Sequence, residues 1–223
     1  MPRCARVDVG GEVYHVLNRA NGRLKMFETD ADYLLFEEIL NEVKELIDMR
    51  ILAYTLMPNH WHIALYPRND GDLGTFMHRL TNAHTRKVHA KTNTNGSGHL
   101  YQGRYKSFLV ESDNYLLTLI KYIERNPVRS NIVQYPSEWR WGSAWRRGKG
   151  TLNQQALLAP LPVPFPTNYH TWINELDAEV DLIDIRNAIT RGVPYGGESW
   201  VDKMIDIHEL HSTVQAIGRP RKR

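Results

Sequence analysis

Two apolar runs, residues 51–57 (ILAYTLM) and 60–66 (HWHIALY), are separated only by Pro58 and Asn59. Each has strand length and is rich in β-branched and aromatic residues, and a two-residue gap leaves room only for a tight reversal, so the pair reads as an antiparallel hairpin. A hairpin this apolar cannot stand in water on both faces, so it demands a larger sheet with helices packed on it.

The flanking sequence supplies both. Residues 12–18 (EVYHVLN) read as a strand, with a turn at Gly22 after it. A helix announced by Thr29 or Asp30 follows, with Leu35, Ile39, Val43 and Leu46 at helical spacing. After the hairpin come a helix over 73–90, a polar loop over 91–98 (KTNTNGSG) and a fourth strand over 105–110 (YKSFLV). Ser112 is placed to cap the next helix, which buries Leu116, Leu119, Ile120 and Ile123 and is stopped by Pro127. The order β-α-β-β-α-β-α predicts an α+β fold, a ferredoxin-like antiparallel sheet with helices on one face.

Residues 1–148 are expected to form this domain and 149–223 a C-terminal helical extension. The extension would hold a proline-rich extended linker over 159–166 (APLPVPFP), helices near 177–190 and 198–210, and a basic tail that includes Arg219, Arg221, Lys222 and Arg223. With 223 residues, 42% of them hydrophobic, the chain has enough apolar surface to bury a core. A single cysteine, Cys4, excludes an internal disulfide framework and a Cys-rich zinc module. No signal-peptide-like run opens the sequence and no stretch reaches the roughly 20 apolar residues of a bilayer helix, so a cytoplasmic protein without membrane insertion is expected.

A net charge of +3 says little, but its distribution says more. Residues 73–110 contain no Asp or Glu yet hold Arg79, Arg86, Lys87, Lys91, Arg104 and Lys106. A second acid-free stretch, 139–174, mixes Arg140, Arg146, Arg147 and Lys149 with Trp139, Trp141 and Trp145. Solvated faces balanced by acids elsewhere would account for any one cluster; together they favour a nucleic-acid partner.

Two segments carry potential chemistry. On a strand, His60 and His62 share a face while Trp61, Ile63 and Leu65 point to the core, and two neutral imidazoles side by side can clamp a divalent metal. Taken alone, such a pair is more often packing than chemistry. On the last predicted helix, Tyr122 and Asn126 stand at i and i+4. A tyrosine at the core edge with an asparagine ending the helix explains them equally well in isolation. Jointly they gain meaning, because a tyrosine with a pKa near 10 is a poor nucleophile without a metal to polarise its target.

The spaced set Tyr14-His15-Val16-Leu17-Asn18-Arg19, Asn59-His60-Trp61-His62, Tyr101-Gln102-Gly103-Arg104-Tyr105 and Tyr122-Ile123-Glu124-Arg125-Asn126-Pro127-Val128 resembles the HUH transposases with one catalytic tyrosine. Within them it is similar to the REP-associated tyrosine transposases, over residues 2–146. The resemblance implies an HUH nuclease fold and a Mg²⁺ or Mn²⁺ ion held by His60, His62 and Asn126. It also implies Tyr122 as the nucleophile and a single-stranded or hairpin DNA substrate, cleaved through a 5′-phosphotyrosine and then rejoined. Arg19, Arg23, Arg79, Arg86, Lys87, Arg104, Lys106 and Arg140 are assigned to the DNA interface; monomer and homodimer both fit. Ala20 departs from the glycine expected in the turn after the first strand, which puts that turn in question. Tyr115, one heptad before Tyr122, is the reserve nucleophile. Two other readings compete: a DNA- or RNA-hairpin-binding protein that keeps the fold without cutting, and a metallohydrolase, for which the sequence offers no His-Glu-x-x-His context.

Overall fold

A computed structural model describes residues 6–94 and 98–215 of the chain. Its strands are β1 (Val13–Arg19), β2 (Arg50–Met57), β3 (His60–Tyr66) and β4 (Lys106–Val110). They form one sheet in the order β2-β3-β1-β4, every pair antiparallel, which is the ferredoxin-like order the element sequence predicts. The hairpin forms with its turn at Pro58 and Asn59, and Met57 and His60 pair directly across it.

Period-2 alternation sorts the strands into two faces. Tyr14, Val16, Tyr54, Leu56, Trp61, Ile63 and Leu65 point to one side, where α1 (Asp30–Ile47) and α2 (Asp72–Thr92) cover them through Phe36, Ile39, Leu40, Phe76, Met77 and Leu80. Both helices are well started. The Asp32 carboxylate accepts from the Thr29 backbone N–H at 2.8 Å, and the Asp8 carboxylate accepts from the first-turn N–H groups of Leu73 and Gly74 at 3.1 and 2.9 Å. The helix predicted over 73–90 runs two residues further and ends at Asn93, whose φ of 53° is a left-handed cap.

The second face is covered as well, so the layer is fuller than a sheet with helices on one side. It belongs to α3 (Asn114–Glu124), whose Leu116, Leu119, Ile120 and Ile123 are all fully buried against Val13, Ala53, Ala64, Phe108 and Val110. At roughly 1.5–3 kcal/mol per buried aliphatic side chain, this stripe fixes α3 on the sheet. The cap is Asp113, not Ser112: its carboxylate accepts from the Tyr115 N–H at 2.7 Å. The helix also stops earlier than predicted. Arg125, at φ −88° and ψ 1°, breaks it, and Pro127 sits in the first turn of a separate one-turn α4 (Asn126–Arg129), where its missing N–H leaves nothing unsatisfied.

Beyond α4 come α5 (Ser143–Lys149), α6 (Leu152–Gln155), α7 (Tyr169–Trp172), α8 (Glu179–Arg191), α9 (Glu198–Ile207) and α10 (His211–Val214). The boundary expected between residues 148 and 149 falls inside α5. The proline-rich segment is extended but not a free tether, because Ala159, Leu161, Val163 and Phe165 pack on the α3 side of the core. Both sheet edges are closed. The Ala159 N–H donates to the Ile51 carbonyl at 2.8 Å beside β2, and Tyr195 exchanges backbone hydrogen bonds with Leu109 and Glu111 beside β4. The basic tail over 219–223 and Cys4 lie outside the described residues. Among the described residues no helix is long and apolar enough to cross a membrane.

Candidate active site

The face of β3 opposite Trp61 carries His60 and His62, with Arg19 and Leu17 of β1 and Met57 and Thr55 of β2 across from them. The two imidazoles meet edge to face at 5.2 Å between centroids. His62 is 4% exposed and also stacks on His15 of β1 at 5.0 Å, so it is walled in by two rings. Burial holds the His60 pKa down at about 4, with the Arg19 charge adding to the effect, and pushes His62 far below its ordinary value of 6.5. Both rings are therefore neutral near pH 7 and keep one lone pair each. The Asn59 side-chain oxygen stands 2.6 Å from Nδ1 of His60. An amide oxygen only accepts, so Nδ1 of His60 carries the proton and Nε2 presents the lone pair.

Helix α3 packs on β2 and β3, and α4 on β2. This brings the Tyr122 ring edge-on to His62 at 5.9 Å between centroids. Tyr115, two turns earlier, instead packs on Tyr195 at 5.1 Å, at the other end of the helix. Asn126 is buried at the head of α4. Its amide nitrogen donates to the Tyr122 and Ile123 carbonyls at 3.2 and 3.5 Å, which leaves the amide oxygen as the end available to another partner. Tyr122 is itself 7% exposed, and burial raises its pKa against the opposing pull of Arg129 and Arg186.

Those two arginines were missed by sequence reasoning. The Arg129 guanidinium lies 4.2 Å over the Tyr122 ring and donates to the Tyr122 carbonyl, while the positive charge of Arg186 on α8 favours the ionised form of Tyr122. Asp177 ties the group together, accepting from Arg125 Nε and Arg129 Nη1 at 3.0 Å each. Arg129 lies one residue past the motif that carries Tyr122 and was within reach of a careful reading. Arg186 was not, because nothing local marks a residue that meets its partner across the fold.

Among the described residues no group of three or more His, Cys, Asp or Glu could hold a metal ion. By donor chemistry, two adjacent neutral imidazoles fit a divalent ion with further positions left for oxygen ligands, and the Asn126 amide oxygen, on the helix that follows Tyr122, is of the type that could add one.

The assigned basic residues divide. Arg19 is exposed at the end of β1 opposite His60, and Arg104 is exposed in the loop whose Gly103 carbonyl accepts from Asn18 at 3.2 Å. Lys106, exposed at the start of β4, donates to the Ile189 carbonyl at 3.3 Å. Arg79, Arg86 and Lys87 are exposed on α2, across the sheet from the histidines, and Lys87 lies 3.8 Å from Glu42. Arg140 stacks over Trp141 and Trp145 at 4.7 and 4.1 Å and approaches Glu37 to 3.6 Å, a structural setting. Arg23 follows Gly22, whose φ of 62° makes the turn after β1, and its side chain lies outside the described residues. Ala20 is extended, at φ −61° and ψ 146°, and pairs with Tyr101, so nothing at that position demands glycine.

No curated protein matches the chain. In fold it is similar to a solved REP-associated tyrosine transposase bound to a REP hairpin, with a TM-score of 0.56 at 19% identity, covering 74% of this chain and 95% of that one. It is also similar to a structure described as a transposase from Deinococcus radiodurans, with a TM-score of 0.40 at 20% identity, covering 55% of this chain and 96% of that one. Residues 9–126, more than half of the 223, match the family described as Transposase IS200 like, and the chain belongs to that family.

Proposed function

We propose that this IS200-like transposase belongs to the REP-associated branch and is a metal-dependent, single-tyrosine DNA strand-transferase of the cytoplasm acting on single-stranded or hairpin DNA. Residues 1–148 supply the nucleophile and the metal donors, and 149–223 form an extension that braces them and adds Arg186. The observation that carries the reading is the Tyr122 ring standing 5.9 Å from that of His62, beside a second neutral imidazole. The REP hairpin bound in the structural relative supports the choice of substrate.

In this reading His60, His62 and the Asn126 oxygen hold Mg²⁺ or Mn²⁺, and the two nitrogen ligands favour Mn²⁺. The ion, when bound, supplies polarisation of the scissile phosphate. Tyr122 Oη gives up its proton to water and attacks phosphorus, the bond to the 3′ oxygen breaks, and that oxygen takes a proton from water to leave as a 3′-OH while the 5′ side stays on the protein as a phosphotyrosine. Attack by a 3′-OH on that phosphotyrosine reverses the chemistry and releases Tyr122. Arg129, already over the Tyr122 ring, and the charge of Arg186, which favours ionised Tyr122, offset charge that builds on the phosphate and on the tyrosine oxygen. Arg19 and Arg104 hold the DNA backbone on the approach to the site.

The Tyr122→Phe variant tests this directly. With a single-stranded hairpin oligonucleotide and Mn²⁺, the wild-type protein forms an adduct that survives a denaturing gel, and the Phe variant forms none while binding the oligonucleotide within about twofold of wild type. An adduct on the Phe variant refutes the assignment. Absence of an adduct from the wild-type protein, with hairpin binding intact, favours the non-cleaving binder, a reading to which the burial of Tyr122 lends some support.

A further inference from the structure

His15 is fully buried on β1, outside the proposed donor set, and its surroundings are informative. Its Nε2 lies 2.9 Å from Nδ1 of His62, its ring stacks on that of His62 at 5.0 Å and touches Phe108 at 4.9 Å, and its own Nδ1 has no hydrogen-bond partner. A buried imidazole whose orphaned nitrogen bears a hydrogen forfeits a hydrogen bond that water would have made, a loss that a packed Leu or Phe in the same space does not carry.

Only two arrangements of the protons satisfy the contact. In one, His15 donates from Nε2 to His62, which puts the remaining proton of His62 on Nε2 and closes that nitrogen to any ligand. In the other, His62 donates from Nδ1 to His15, its Nε2 lone pair is open, and the proton of His15 sits on the orphaned Nδ1. Across the strand, the Asn59 oxygen imposes the second kind of arrangement on His60. His62 has no such one-way partner, because an imidazole can either give or take.

We infer that His15 is a positioning residue for the divalent-metal site, accepting the Nδ1 proton of His62 so that Nε2 faces the ion, as Asn59 does for His60. The inference rests on the metal-site reading above. It explains why a polar ring occupies a fully buried place on β1: the strain of its orphaned N–H is offset when His62 engages an ion. Occupation of the site would thereby select one proton arrangement of the pair.

The test measures Mn²⁺ binding to the full-length protein without DNA, by the loss of the free-ion electron paramagnetic resonance signal. Removing such a hydrogen-bond partner typically weakens affinity 10–100-fold. His15→Leu should fall in that range, and His15→Gln, whose amide oxygen can take the same proton, should recover most of the loss. Leu and wild-type proteins binding Mn²⁺ equally overturn the role, as does a Gln variant no better than Leu, which would mean that only packing was disturbed. His60→Ala and His62→Ala serve as references: if neither weakens Mn²⁺ binding, the metal site itself is misassigned, a failure separate from that of His15. Should the Leu variant not fold, ¹⁵N spectra of the wild-type imidazoles under saturating Mg²⁺ decide the matter. The proton of His15 is expected on Nδ1, and finding it on Nε2 overturns the inference.

Discussion

Asp177 offers the sharpest test of how the segment before α8 is held against α4 and the end of α3. Its carboxylate, 8% exposed, accepts at 3.0 Å from both Arg125, 5% exposed, and Arg129, 17% exposed. Asp177→Ala removes two charge-assisted hydrogen bonds, each worth about 1.5–3 kcal/mol, and strands a guanidinium with little access to water. Arg125 keeps one contact, its Nη1 donating to the Ile173 carbonyl at 3.0 Å, and Arg129 is exposed enough to recover some hydration. The net loss should therefore lie near the lower end of the range for a broken buried pair, about 3 kcal/mol. For a chain of this size that is a drop in Tm of roughly 6–12 °C, readable by circular dichroism or calorimetry at pH 7. Because buried charges are screened weakly, the drop should persist in 1 M salt. Asp177→Asn, which keeps an acceptor but loses the charge, should fall between. A drop under about 2 °C, or one that disappears in salt, would show that Asp177 is a solvated surface acid and that the extension is fastened by other contacts.

Acid stability gives a second check. Burial holds the His84 pKa at about 3 against an ordinary 6.5, with Asp32 pulling weakly the other way. The unfolded chain takes up this proton below pH 6.5 and the folded chain does not until about pH 3, so stability present above 6.5 is lost on acidification at roughly 1.4 kcal/mol per pH unit. Denaturant midpoints measured from pH 7 to pH 4 should fall accordingly, and His84→Phe should flatten the slope; an unchanged slope would mean that His84 contributes nothing to it. DNA affinity should also separate the arginines. Arg19→Ala and Arg104→Ala should each flatten the dependence of log K on log salt by about 0.7–0.9, whereas Arg146→Ala, whose guanidinium pairs with buried Glu37 at 2.6 Å, should lower Tm and leave that slope unchanged. Equal salt slopes for Arg104→Ala and wild type would remove Arg104 from the interface.

Much of the fold was legible because it rests on short-range rules. Trp61, Ile63 and Leu65 alternate with His60 and His62, which assigns both faces of β3 before any neighbour is known. The stripe of Leu116, Leu119, Ile120 and Ile123 likewise declares a helix and its buried side. Local rules failed where two readings were locally equal. Pro127 is compatible with ending one helix or opening the next, and the break at Arg125 follows from tertiary partners, since Arg125 turns aside to reach Asp177 and the Ile173 carbonyl. The same applies to residues 159–165: alternating prolines announce an extended chain, and only the core formed by α3 and the second face of the sheet decides that their apolar side chains lie down on it.

The candidate donors could be proposed from the sequence and their neighbours could not, and the reason is physical. A ligand or a nucleophile must be a particular residue type, so His60, His62, Tyr122 and Asn126 could be proposed from residue type, spacing and resemblance. A support needs only to arrive at the right atom, and it can come from anywhere in the chain. His15 reaches His62 from the neighbouring strand, a place that two-residue alternation allows but does not single out. The charge of Arg186 acts on Tyr122 from α8, and Asp177 reaches Arg129 from the segment before it. These long-range partners bury the tyrosine and set the direction in which its neighbours point. A residue set that satisfies a motif is therefore only half of such a site; the other half is whether the fold leaves Nε2 of His62 open and an arginine beside Tyr122, and neither can be read from the motif itself.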